Sequence, residues 1–294
     1  MTTLYVLIYL SLAVALAASI VRAVRYARLP LNLRWELYPV PHEDAAHAGH
    51  GGSYFEDLDW WTRPRHRSIA GEAKAMAAEI LFLRAMYEHN RRLWLFSYPF
   101  HLGLYILIAT AVAAAAAAIV SPQFSALSLM GAAGCVLVIL GTTGLLVNRV
   151  RDPKLRSYSA PADYCNLVFF LTAAGLLFYT KIAPGPGLID TARALLTFDT
   201  AFNMPALQAA AMAISALLIA YIPLTHMSHF IGKYFTYHAI RWADEPASAI
   251  HALDRRLAEY LGYKPTWSAP HIAGDGATAW LEIVSRNPSE EQSK

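Results

Sequence analysis

Charge is what this sequence has least of. Only 15% of its 294 residues are Asp, Glu, Lys or Arg, against about a quarter in an average soluble domain. Cysteine is scarcer still: Cys135 and Cys165 are the only two, and they form no CxxC pair. That excludes a cysteine-ligated iron–sulfur cluster within the chain and gives no disulfide framework. Both cysteines read as small buried hydrophobes. Histidine is missing from AVAAAAAAIV (111–120) and from NMPALQAAAMAIS (203–215).

What is abundant is apolar sequence. Hydrophobic residues make up 56% of the chain, and they cluster into blocks long enough to cross about 30 Å of hydrocarbon. Five runs stand out: 4–21, 93–120, 124–147, 164–182 and 205–231. The first has its cations after it (Arg22, Arg25, Arg28) and no small-residue cleavage site, so it reads as a retained span rather than a signal peptide. The third carries Gly131, Gly134, Gly141 and Gly144, which suit close helix contacts where no hydrophobic effect drives association. Pro223 interrupts the fifth and predicts a kink there. The expected fold is all-α and integral to a membrane, with five transmembrane helices.

The cations set the expected topology. Eleven Lys or Arg fall in 22–92, four in 148–163 and seven from Lys233 onward, and the short loop between the second and third runs has none. The positive-inside rule then places the N-terminus outside and the C-terminus in the cytoplasm. Residues 1–27 form the first span. Residues 28–92 form a large cytoplasmic loop with an amphipathic helix, 93–232 a four-helix bundle, and 233–294 an extended cytoplasmic tail suited to docking a partner. RLPLNLRWELYPVPHE and GGSYFEDLDWWTRPRHRS read as extended, loop-like segments. GEAKAMAAEILFLRAMYEHNRRL reads as one helix with Met76, Ile80, Leu83 and Tyr87 in a stripe, lying on the membrane surface, on a partner or on the protein's own loop. The tail has a short amphipathic piece around 246–261 and nothing that resembles a folded domain.

Ionisable groups in apolar helices cost free energy unless paired, ligated or wet. His101 is the one ionisable residue of the second run, and His226 and His229 close the fifth. His101 lies nine residues past Arg92, roughly 13 Å along a helix at about 1.5 Å per residue. His229 and His226 precede Lys233 by four and seven residues, roughly 6 and 10 Å. All three fall in the cytoplasmic half. Two imidazoles from facing helices in an apolar slot are what a haem iron needs. By depth alone either His226 or His229 could pair with His101, and His226 matches slightly better. Interhelical hydrogen bonding and a proton path are the rival uses of such histidines. His238, past Lys233, reads as interfacial. His42, His47, His50, His66 and His89 lie in the polar loop, where no cysteine supports a metal site.

PFHLGLYILI and PLTHMSHFIGKYF resemble the haem-b membrane subunit of respiratory nitrate reductase, the gamma-type family. The likeness is closer to the membrane cytochromes that accompany heterodisulfide-reductase-like iron–sulfur subunits in sulfate reducers and sulfur oxidisers. RWELYPVPHE, GGSYFEDLDWW, EILFLRAMYEHNRRLW and TWSAPHI are similar to that subgroup as well. The resemblance implies a cytochrome b of the inner (cytoplasmic) membrane. It would exchange electrons between membrane quinone and a cytoplasmic heterodisulfide-reductase-like iron–sulfur subunit, with no nucleic-acid partner. It also implies that the fifth-span ligand follows a basic position by three residues, which gives His229 as ligand, with His101, and His226 as a haem-propionate or quinone neighbour. Tyr98, Tyr105 and His226 are then the candidate quinone contacts. The gamma pattern has a second ligand pair toward the outer face. The histidine-free outer halves depart from it, so one haem b is expected. The alternative is a haem-free membrane anchor that recruits a cytoplasmic partner; a proton-coupled transporter ranks last, since no inverted repeat is evident.

Overall fold

The computed structural model describes residues 1–29, 34, 38–43, 49–63, 68–120, 126–244, 251–269 and 272–286. His47 and His66 lie outside the described residues. Five helices among them are long and apolar enough to cross a membrane: Thr2–Ala27, Arg91–Val120, Ala126–Arg151, Pro161–Ile182 and Ala206–Leu224, here spans 1 to 5. They make the chain a multi-pass, all-helical membrane protein. The only strands among the described residues are an antiparallel pair of two residues each, Ser268–Ala269 and Ile272–Ala273.

The described chain forms two compact units. The first comprises residues 1–25 and 66–232. Its core joins four spans through Phe100, Val138, Phe170, Ala173, Ala174 and Leu218. Spans 2 and 3 touch backbone to backbone. A β-carbon on Gly141 would stand 2.5 Å from the amide nitrogen of Phe100, and one on Gly103 would stand 2.7 Å from the Gly134 carbonyl oxygen. Only hydrogen fits at either place, which explains the glycine spacing seen in the sequence. Span 1 is held differently, by polar ties to lone carbonyls. Tyr5 and Tyr9 donate to Asp199 O (2.9 Å) and Leu195 O (2.8 Å), and Arg22 Nε donates to Pro223 O (2.6 Å). Ile8 is buried, whereas Leu10, Leu12, Leu16 and Ile20 are exposed, as lipid contact requires.

Two elements differ from the sequence expectation. The fifth apolar run does not continue as one helix to residue 231. Pro223 cannot donate a helical hydrogen bond; Ile222–Leu224 and His226–Ser228 are short 3-10 turns, and Thr225 between them is extended (φ −116°, ψ −178°). Helix resumes at His229–Thr236. The predicted single helix after residue 68 is also two, Ile69–Phe82 and Arg84–His89, split by Leu83 in the left-handed region (φ 51°). Buried Glu79 accepts the Ala85 amide at 2.8 Å and so caps the second helix. Ser68 caps the first through the Gly71 amide at 3.1 Å. Ile80 and Tyr87 of the expected stripe are exposed, while Leu83 is buried.

The second unit comprises residues 26–65 and 233–294. The segment read as extended loop is tied here to Arg241, Ala243 and Asp244 near the start of the tail. Arg34 is fully buried and pairs with Glu43. Its guanidinium also donates to Ser53 Oγ (2.7 Å) and Tyr38 O (2.6 Å), and lies over the Phe55 ring at 4.4 Å. The Arg34 amide donates to Ala243 O at 2.9 Å, and Tyr38 Oη to Arg241 O at 2.9 Å. His42 Nε2 and Tyr54 Oη converge on Asp244 Oδ2 at 2.8 and 2.7 Å. The amphipathic tail piece is helical over His251–Leu261. A turn around Asp275 precedes a short helix, Trp280–Val284.

Candidate functional site

His101 enters the bundle from span 2. Its Nδ1 stands 2.7 Å from Ser97 O, one turn back, with Ser97 Oγ at 3.3 Å. A carbonyl only accepts, so Nδ1 carries the proton and Nε2 is the lone-pair nitrogen. A carbonyl fixing the second ring nitrogen in this way is how metal-ligating histidines are oriented. His101 cannot face span 3, because the close backbone contact at Gly103 and Gly141 leaves no room there. Its half-buried ring faces the end of span 5 instead.

His229 meets it there. The interruption at Thr225 restarts the helix at His229, and the two imidazole centres lie 6.0 Å apart with ring planes at 73°. An imidazole nitrogen sits about 2 Å from the metal it ligates and about 1.1 Å from its own ring centre, so two rings across one ion lie about 6 Å apart. The observed centre separation matches that distance, and one shared ion would require a nitrogen of each ring on the line between the two centres. Haem iron needs no further protein ligand, and no cluster of three or more His, Cys, Asp or Glu with metal-binding geometry occurs among the described residues. His229 is exposed and His101 half-buried.

His226 does not join this pair. Its Nε2 stands 3.0 Å from Asp163 Oδ1 and 3.3 Å from the Asn166 amide group. Asp163 begins span 4, where its Oδ2 accepts the Ala160 amide at 2.9 Å and faces Arg149 at 3.2 Å. Tyr221 Oη reaches Asn166 at 2.9 Å. Arg149, Asp163, Asn166, Tyr221 and His226 thus form one polar network from three spans. Only His226 had been singled out from sequence. The available signal for the others was the polar triplet-spaced head of span 4, Asp163 and Asn166, directly before an apolar run.

The remaining sequence candidates fall into different settings. Tyr105 lies 6.5 Å from His101 ring to ring, but its hydroxyl donates to Ile80 O at 2.7 Å, so it offers a ligand only a lone pair. Tyr98 stacks on Trp94 with centres 4.7 Å apart. His238, in the second unit, stacks on Tyr234 at 4.1 Å and bonds Tyr234 O at 2.9 Å. His42 and His50 are paired with Asp244 and Glu56, and His89 bonds Ala85 O at 2.8 Å.

No protein-family model matches the chain, and neither any curated protein nor any solved structure matches it.

Proposed function

We propose that the chain is the membrane cytochrome b subunit of a respiratory redox complex, holding one haem b between His101 and His229. The observation that carries this reading is the pair itself: two imidazoles, one in span 2 and one opening the helix that follows span 5, 6.0 Å apart, the first with its tautomer set by a backbone carbonyl. A bound haem would supply one-electron carriage. The chain's own contribution is the Ser97 carbonyl, which holds the His101 ring by its Nδ1. Electrons pass between membrane quinone and a cytoplasmic iron–sulfur subunit of the heterodisulfide-reductase-like kind, which the sequence resemblance supports. The cation distribution supports an N-terminus outside an inner (cytoplasmic) membrane, with the second unit on the cytoplasmic side as the docking face. The test is pyridine-haem stoichiometry on the purified full chain. One haem b per chain with a low-spin spectrum is expected; a folded, colourless protein sinks the proposal and leaves the haem-free anchor.

A further inference from the structure

Past span 5 the chain turns basic and aromatic. Residues 225–243 contain no Asp or Glu, and Tyr234 and Ile240 stand half exposed (52% and 50%). The stretch ends in a π-helical turn, Tyr237–Arg241, closed by the Trp242 amide on Tyr237 O at 2.8 Å. Such turns are rare and collect at functional sites. This one orients a cation. The Arg241 guanidinium carbon lies over the Tyr237 ring, 5.2 Å from its centre, and Nη1 stands 3.4 Å from the phenol oxygen. The turn is fixed from behind, where Tyr38 Oη donates to Arg241 O and the Arg34 amide to Ala243 O, both at 2.9 Å. Tyr237 itself packs on Trp242, ring centres 4.9 Å apart. Arg241 is exposed. The next acid along the chain, Asp244, is buried and held by His42 and Tyr54.

A guanidinium held in one orientation, with no carboxylate beside it, suits a phosphate, because its planar fork matches two phosphate oxygens. A free phosphate would leave Tyr234 and Ile240 uncovered. A phospholipid covers both, with its phosphate on Arg241 and its glycerol and acyl ends on the apolar side chains. The stretch follows a membrane span directly, and Tyr and Trp favour that depth of a bilayer. Two further cations set the headgroup's sign. Lys233 opens the same stretch. Arg28, exposed, lies two residues past Tyr26, whose ring meets that of Phe235 at 5.8 Å. Together they disfavour a headgroup that carries an ammonium of its own. We propose that the π turn is a headgroup site for an anionic glycerophospholipid, in which Arg241 binds the phosphate and Tyr237 is the positioning residue. The bound lipid fixes the chain where it leaves the bilayer. The site uses no haem, so it stands or falls apart from the cytochrome reading.

The test places the full chain in phosphatidylcholine bilayers with traces of spin-labelled phosphatidylglycerol or phosphatidylcholine. Electron paramagnetic resonance reads how much of each lipid the protein immobilises, and circular dichroism reads folding. Wild type should prefer phosphatidylglycerol, and Arg241→Gln should lower that preference about five-fold, the effect of one cation at a lipid surface. Arg241→Lys keeps the charge without the planar fork, and Tyr237→Leu removes the ring beneath it; each should lose part of the preference. Arg63→Gln, which removes an exposed cation paired with Asp57 at 3.0 Å, should leave it unchanged. Equal preference in wild type and Arg241→Gln overturns the site. Full preference in both Arg241→Lys and Tyr237→Leu, or an equal loss in Arg63→Gln, overturns it in favour of diffuse charge attraction. Calorimetric binding of inorganic phosphate to the wild type in detergent, abolished by Arg241→Gln, overturns the lipid in favour of a free anion.

Discussion

His101 and His229 face each other with ring centres 6.0 Å apart and planes at 73°, although one sits mid-helix and the other opens a helix restarted after a break. The separation depends on three local features: the Ser97 carbonyl that fixes the His101 ring, the glycine contact that closes off span 3, and the Thr225 interruption that sets where His229 begins.

Removing either imidazole should abolish haem binding. His101→Ala and His229→Ala are expected to purify without a b-type spectrum, whereas His226→Ala keeps one haem per chain. Absorption spectra of the three variants, with circular dichroism to confirm helix content, decide this. If His101→Ala assembles into a fully active complex, the anchor reading replaces the cytochrome.

Gly141 offers a test of the packing behind the site. A methyl group there meets the Phe100 backbone at 2.5 Å, and neither backbone can yield without separating spans 2 and 3. Gly141→Ala should cost about 1–3 kcal/mol, the usual range for overpacking, and should loosen haem binding because Phe100 precedes His101. Gly175, with nothing within 4 Å of an added β-carbon, is the control: Gly175→Ala should leave the melting temperature unchanged.

The spans were legible because apolar runs of this length have few alternatives, and depth along the helices brought His101, His226 and His229 to one half of the bundle. Depth slightly favoured His226 and the resemblance gave His229; it is His229 whose ring lies 6.0 Å from that of His101, after an interruption at extended Thr225 that periodicity does not reveal. Of the second unit, the amphipathic piece that is helical over His251–Leu261 was legible and the packing was not. Proline and aromatics in RWELYPVPHE do not say that the side chains of Arg34 and Glu43 are buried as a pair or that Asp244, two hundred residues away, receives His42 and Tyr54. Irregular segments fold through specific long-range side-chain pairs, and no local pattern encodes those. The break at Leu83 escaped for a related reason, since a non-glycine residue in the left-handed region has no sequence signature.

The Asp275 turn gives a pH-dependent signal. The Thr278 and Ala277 amides and the Thr278 hydroxyl bond its carboxylate at 2.7–2.8 Å and hold its pKa down at about 2. A carboxyl depressed on folding stabilises above its unfolded value and loses that contribution as pH falls through the folded value. The turn should therefore persist at pH 4 and open toward pH 2. The Asp275 carboxyl resonance followed by NMR should titrate near the lower value, and Asp275→Ala should remove protection of the Ala277 and Thr278 amides at every pH.

Arg34 and Glu43 give the sharpest test of the second unit, because both side chains are excluded from solvent (0% and 2% exposed). Removing one member of a buried ion pair strands the other, at a cost of about 3–5 kcal/mol. Arg34→Ala also forfeits the bonds to Ser53 Oγ and Tyr38 O and the contact over Phe55. Glu43 accepts the Tyr54 amide at 3.2 Å, so its own geometry fails next. Arg34→Ala should therefore unfold residues 49–63, seen as fast amide exchange and new protease cleavage there. Replacing both partners with apolar side chains, Arg34→Met with Glu43→Leu, removes the stranded charge and should restore much of the protection. Haem content should stay at the wild-type level in both variants, since His101, His229 and the glycine contact lie in the first unit. Equal protease resistance of Arg34→Ala and wild type would show that the buried pair does not hold this unit together.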